Sequence, residues 1–145
     1  QPFDLQNALT PTEVYPQLAS WTESAHQLYH AFTLIDYAFP FFAGLFIAAT
    51  AAFAMRVSLP TWYAALTRRN LLPVFMFGTA FDWLENIAAL GVISLYPTEL
   101  RGLPIVLVLA KQLKLVCVLS AQAVTLLLLL YAAGNWLTAR LRLRR

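Results

Sequence analysis

The sequence predicts an all-α fold, an integral membrane helical bundle with three transmembrane helices, from composition, run length and the placement of charge. Hydrophobic residues make up 60% of the chain and charged residues 12%, whereas a soluble domain averages about 25% charged. The mean hydropathy is +0.64. Three apolar runs each hold the roughly 20 helical residues needed to cross about 30 Å of hydrocarbon. The basic residues flank those runs, so the net charge of +3 orients the chain in a bilayer and does not mark a nucleic-acid partner. At 145 residues there is too little extramembrane chain for a second core. Residues 1–34 form a non-cytoplasmic amphipathic segment, and residues 35–145 form the transmembrane bundle with a basic cytoplasmic tail.

The N-terminal segment carries Asp4, Glu13 and Glu23 and no lysine or arginine up to Thr33, the composition of a segment outside the cytoplasm. The chain opens at Gln1, so a cleaved signal or an upstream first span is expected to have carried this end across; an upstream span would make four. Thr10, Pro11 and Glu13 form a helix-start signature: a hydroxyl cap, proline at the first position and an acid that reaches back to the cap amide. A pause at Pro16 precedes an interfacial helix through Trp21, Tyr29 and Phe32, whose aromatics suit the headgroup belt.

The first span runs from about Ile35 to Met55 and ends at Arg56, with a kink expected at Pro40. Gly44, Ala48, Ala51 and Ala52 form a small-residue stripe that admits a close neighbour. The connection from Arg56 to Asn70, with Trp62, Tyr63, Arg68 and Arg69, reads as a cytoplasmic interfacial loop. The second span covers about Leu71 to Tyr96, and Tyr96 to Gly102 is an outer turn of balanced charge. The third, about Leu103 to Leu137, exceeds what a bilayer requires by roughly ten residues. Its first turns must stand outside the hydrocarbon under some cover, with the N-terminal stretch Trp21 to Phe32 and a partner protein as the expected covers. Arg140, Arg142, Arg144 and Arg145 close the chain on the cytoplasmic side, which suits a bacterial inner membrane.

The most informative side chains are Asp82, Glu85 and Asn86, inside the second span. A carboxylate at the centre of a membrane helix costs about 2.5 to 3.5 kcal/mol even on lenient scales, so these residues need partners, water or protons. Gly78, Asp82, Glu85 and Ala89 repeat at helical spacing and share one face. On the third span Lys111, Lys114, Val118, Ala121, Gln122 and Thr125 form a similar stripe, and an acid–lysine pair would offset the desolvation of both partners. Counted at 1.5 Å per residue from the cytoplasmic arginines, Asp82 and Glu85 lie roughly 20 to 24 Å up and Lys114 roughly 33 to 39 Å. Contact then requires tilt, axial offset or a lysine reaching down, with Asp36 able to bridge. Asp36, Asp82, Glu85, Lys111 and Lys114 are thus the candidate catalytic or proton-conducting cluster.

Glu23, His26 and His30 share a helix face and form a second candidate, a metal site for Zn, Cu or a porphyrin metal. Cys117 is alone, which excludes an internal disulfide and any multi-cysteine metal site. No nucleotide-binding or hydrolase motif is present, and the cofactor is left unspecified.

The order Asp36 with Phe39-Pro40, Asp82-x-x-Glu85-Asn86, Tyr96-Pro97 and then Lys111 or Lys114 resembles a pattern in small uncharacterised bacterial polytopic membrane proteins. That resemblance implies a four-helix family with one span ahead of the segment similar to Leu9 to Tyr29, and it implies no particular activity. Three functions fit the residues. The leading one is an accessory or assembly subunit whose glycine and alanine stripes pack on other membrane subunits or on itself. The others are a membrane-embedded enzyme or proton pathway and a lipid-binding or transport bundle. Polar stripes turned inward around a lipid-sized cavity would favour the last two.

Overall fold

Two stretches of helix are long and apolar enough to cross a membrane, Glu23–Ser58 and Gly102–Arg142. The computed structural model describes residues 3–143, and among them every regular element is helical. Gln1, Pro2, the Asp4 side chain and the last two arginines of the basic tail, Arg144 and Arg145, lie outside the described residues.

A 3-10 turn at Phe3–Leu5 leads to α1, Val14–Ala19. The Thr10 start signal acts one turn earlier than α1. Glu13 Oε2 accepts from the Thr10 hydroxyl at 2.7 Å and from the Thr10 amide at 2.8 Å, the reach-back half of a capping box. These bonds hold the Glu13 carboxyl below its ordinary range. α2, Glu23–Asp36, opens on Thr22, whose hydroxyl accepts from the Ala25 amide. It is followed at once by α3, Ala38–Ser58. The break at Tyr37 follows from Pro40: without an N–H, Pro40 leaves the Asp36 carbonyl no helical partner. α4, Pro60–Arg68, has no buried residue, and Asn70 closes it with φ of 52°, a left-handed conformation that asparagine tolerates. A 3-10 turn at Leu72–Met76 precedes α5, Phe77–Leu95. α5 is diluted by Asp82, Glu85 and Asn86, and length and composition mark two helices, not three, as spanning. α6, Gly102–Arg142, has 41 residues and so extends about 60 Å.

One face of the first turns of α6, with Leu107, Val108 and Ala110, is covered from within the chain, while Ile105, Val106 and Leu109 on the other stay exposed. Phe3, Leu9, Val14, Tyr15, Leu18 and Tyr29 are buried with Ala88, Ala89, Val92, Ile93, Leu107 and Val108 in one apolar cluster, each full burial of a large side chain stabilising by about 1.5 to 3 kcal/mol. Tyr15 ties this cap to the α5–α6 turn: its hydroxyl donates to the Leu100 carbonyl and accepts from the Leu100 amide. Phe3 stacks on Trp21 with ring centroids 5.0 Å apart. The cover was expected from Trp21 to Phe32; the stretch from Phe3 to Trp21 supplies most of it.

Below the cap the pattern inverts. Phe39, Phe46, Phe53, Leu119 and Leu127 are exposed, whereas Ala51, Ala54, Thr79, Asp82, Glu85 and Asn86 are buried. The small residues set the helix spacing. A Cβ at Gly78 would lie 2.5 Å from Val118 Cγ2, and one at Gly44 would collide with the Thr79 hydroxyl.

Candidate functional site

The site is assembled where the α2–α3 break meets the polar face of α5. Two hydrogen bonds latch these elements: Trp83 Nε1 donates to the Tyr37 carbonyl at 3.0 Å, and the Thr79 hydroxyl donates to the Pro40 carbonyl at 2.8 Å. A helix interrupted by proline offers carbonyls that side chains of a neighbour can reach. Asp36, the last residue of α2, is thereby brought opposite Asn86. The Asn86 amide nitrogen lies 3.3 Å from Asp36 Oδ2 and 3.4 Å from Asp82 Oδ2, so one amide serves carboxylates from two helices.

Lys114 of α6 closes the cluster. Its ammonium lies 2.8 Å from Asp82 Oδ1 and 2.5 Å from Glu85 Oε2. The Glu85 side chain is fully buried, that of Asp82 is 9% exposed and that of Lys114 18%. Such burial costs several kcal/mol per ion in desolvation, which a close ion pair with further hydrogen bonds can offset. The axial mismatch counted along the sequence is absorbed, since Lys114 reaches both acids directly.

Asp36, Asp82, Glu85 and Lys114 are therefore brought together, and Lys111 is not among them. One turn nearer the α6 N-terminus, Lys111 is buried and donates to the Phe3 carbonyl at 2.5 Å. Its place is in the cap, where it fastens the first described residue of the chain.

Beside the cluster runs a cleft of about 380 Å³ between the α2–α3 break and the α5–α6 pair. Asp36, Asp82 and Lys114 line it on the polar side, and Phe32, Phe39 and Phe75 line it on the apolar side. Its volume lies within the roughly 300 to 1,000 Å³ range of small-molecule sites. A mostly apolar channel with a few convergent charges is the chemistry of a site for an amphiphile.

Among the described residues no group of three or more His, Cys, Asp or Glu side chains is placed to hold a metal. The Glu23 carboxylate instead accepts from Gln27 at 3.4 Å. His26 sits 3.3 Å from the Leu18 carbonyl through Nε2, with its ring against Trp21 and Tyr96. Helical spacing places Glu23, His26 and His30 on one face, but the cap claims His26 for packing.

Comparison with family models, with curated proteins and with solved structures finds no match. Function is therefore argued from the site's own chemistry. Two of its parts escaped the sequence reading. The cleft wall of Phe32, Phe39 and Phe75 does not read as one surface in the sequence: Phe32 falls in the expected interfacial helix, Phe39 stands out only beside Pro40, and Phe75 lies in an apolar run. Asn86 stood out as a polar neighbour, but its bridging role depends on how α2 meets α5.

Proposed function

We propose that this protein is an integral membrane bundle that binds a lipid-like amphiphile in the cleft beside the Asp36, Asp82 and Lys114 side chains. One observation supports this most strongly: the polar faces of α5 and α6 turn inward and meet at a cleft whose other walls are aromatic and aliphatic. Of the three functions that the sequence allows, inward polar stripes beside a cleft of about 380 Å³ favour ligand binding, carriage or intramembrane chemistry over simple packing. The reading takes α3, α5 and α6 as the three spans, with residues 1–34, most of α2 included, outside and the arginine tail in the cytoplasm of a bacterial inner membrane.

The test is ligand retention. Native mass spectrometry of the full chain in mild detergent is expected to show one retained amphiphile. Ala43→Phe and Ala121→Phe, which fill the cleft from α3 and from α6, should abolish retention without lowering thermal stability. Retention that persists in both filled variants, or a wild-type chain that carries nothing under any gentle condition, overturns the assignment. Labelling of single cysteines near Thr67 from the cytoplasm and near Thr98 from outside tests the topology; the reverse pattern breaks it.

A second reading, as an accessory subunit, draws on the distal half of α6. Leu126, Leu127, Leu130, Leu137 and Leu141 are exposed there and present an apolar surface for foreign helices. A monodisperse, thermally stable monomer with full helicity in mild detergent would count against it.

A further inference from the structure

The end of the bundle opposite the cap carries charge of one sign. Asn86 meets Asp36 and Thr79 meets Pro40, so α3 runs antiparallel to α5. Lys114 meets Asp82 and Val118 lies against Gly78, so α6 runs antiparallel to α5 as well. α3 and α6 are therefore parallel, and their C-terminal ends leave the bundle together. Arg56 stands in the last turn of α3, Arg68 and Arg69 close α4, and Arg140 and Arg142 stand in the last turn of α6. No aspartate or glutamate occurs from residue 37 to 81 or from 100 to 145. The arginines described at this end are all exposed, and among the described residues no ion pair holds Arg56, Arg68 or Arg69. Apolar side chains share the exposed corner with them. Val57, Trp62 and Leu71 are 61%, 66% and 45% exposed, and α4 has no buried residue at all.

We propose that α4 and the end of α3 form a docking surface for the head groups of anionic phospholipids, with Arg56, Arg68 and Arg69 on the phosphates and Trp62 at the head-group level beside them. This rests on the membrane-bundle part of the reading above and is independent of what fills the cleft. Charge alone does not carry it, because lysine orients a membrane protein as well as arginine does. This chain divides the two residue types. Its lysines, Lys111 and Lys114, serve the interior, one on the Phe3 carbonyl and one on the buried acids, and every basic residue at the end opposite the cap is arginine. A guanidinium is a planar fork that meets phosphate through two parallel bonds, whereas an ammonium acts as a point charge. The exposed apolar side chains select lipid over nucleic acid or an acidic protein segment. In a bilayer Val57 and Leu71 meet acyl chains, and tryptophan favours the interface where head groups lie.

The test compares lipids that differ in head-group charge. The full chain in mild detergent is washed at about 0.5 M salt, which screens exposed charges and strips exchangeable surface lipid while a cleft occupant stays. It is returned to low salt and titrated with short-chain phosphatidylglycerol and phosphatidylcholine, with binding read by native mass spectrometry. Phosphatidylglycerol is expected to bind at least about tenfold more tightly, in the wild type and equally in Ala43→Phe, whose cleft is filled. R68Q with R69Q should weaken phosphatidylglycerol about thirtyfold, two charges at about 1 kcal/mol each, and leave phosphatidylcholine unchanged. R68K with R69K keeps both charges, so a purely orienting role requires no change, whereas the phosphate role requires a loss of at least about threefold. Equal binding of the two lipids to the wild-type chain overturns the surface and leaves the cleft reading standing. A preference that vanishes in Ala43→Phe moves the anion to the cleft and overturns it too. Lysine variants that match the wild type overturn the phosphate assignment. Capture of an oligonucleotide or an acidic peptide by the chain in nanodiscs of phosphatidylcholine with phosphatidylglycerol would show these arginines facing water, and overturns the lipid assignment. The wild-type comparison needs no variant, so it decides the matter even where a variant fails to fold.

Discussion

The cap and the bundle beneath it are built on opposite rules within one chain. In the cap, Phe3, Val14, Leu18 and Leu107 are fully buried and the interior is continuous apolar packing, the arrangement that water drives. In the bundle, large apolar side chains face outward while glycine, alanine, threonine and charged residues face inward. In the proposed bilayer setting, where the surroundings are themselves apolar, burying leucine gains little. Close backbone approach and internal polar contacts then hold the helices together. Lys111 and Lys114, three residues apart on α6, mark the boundary: the first serves the cap by donating to a backbone carbonyl, the second serves the bundle by matching carboxylates. The difference teaches that a lysine's role here depends on which solvent the neighbouring elements exclude.

The largest expected effect sharpens that boundary. Lys114→Met leaves Asp82 and Glu85 buried without their ammonium and should destabilise the bundle by about 3 to 5 kcal/mol, read as loss of helicity on heating in detergent. Glu85→Gln in the same chain should restore part of the loss, because it removes one of the stranded charges. Lys111→Met should cost about 1 to 3 kcal/mol, the effect of leaving the Phe3 carbonyl without this donor, and should show first as protease sensitivity of the N-terminal segment. Equal losses with equal protease patterns would erase the distinction between the two lysines.

Next in size is a test of the two kinds of apolar residue. Leu18→Ala opens a cavity in the cap, with an expected cost of about 2 to 5 kcal/mol. Leu127→Ala alters a side chain that is 65% exposed and should stay within about 0.5 kcal/mol. A large effect at Leu127 in the isolated chain would show that the distal half of α6 is packed against protein, as the accessory-subunit reading requires.

Gly78→Ala should cost about 1 to 3 kcal/mol by overpacking, because its Cβ would press on Val118. At Gly134 a Cβ meets nothing within 4 Å, so Gly134→Ala should gain up to about 1 kcal/mol of helix propensity. Matching outcomes at the two glycines would mean that α5 and α6 are not in close contact at Val118. The smallest effect concerns Glu13. Its folded pKa is held below the ordinary value of 4.5, first by the Thr10 hydroxyl and then by the Thr10 amide. Its contribution is therefore complete above that value and is lost as pH falls through the lower folded one. Amide exchange in the first turns of the cap should quicken on acidification through that window, and Thr10→Ala should flatten the response.

The sequence by itself determined the helical class, the apolar stretches, the face shared by Gly78, Asp82, Glu85 and Ala89, and the candidate group of acids and lysines, because helical periodicity and the cost of charge in an apolar run are local properties. It also exposed a real problem, the surplus length of the third apolar segment, without the means to solve it. Only the tertiary structure decided that the segment from Phe3 to Trp21 covers one face of that surplus, that Lys114 pairs with Asp82 and Glu85 while Lys111 donates to the Phe3 carbonyl, that Asn86 links Asp36 to Asp82, and that the His26 ring packs against Trp21 and Tyr96. Each of these depends on axial offset and rotation between helices. Those quantities are set by where a proline interrupts α2–α3 and where Gly44 and Gly78 allow contact, and residue spacing along one helix carries no information about its register against another.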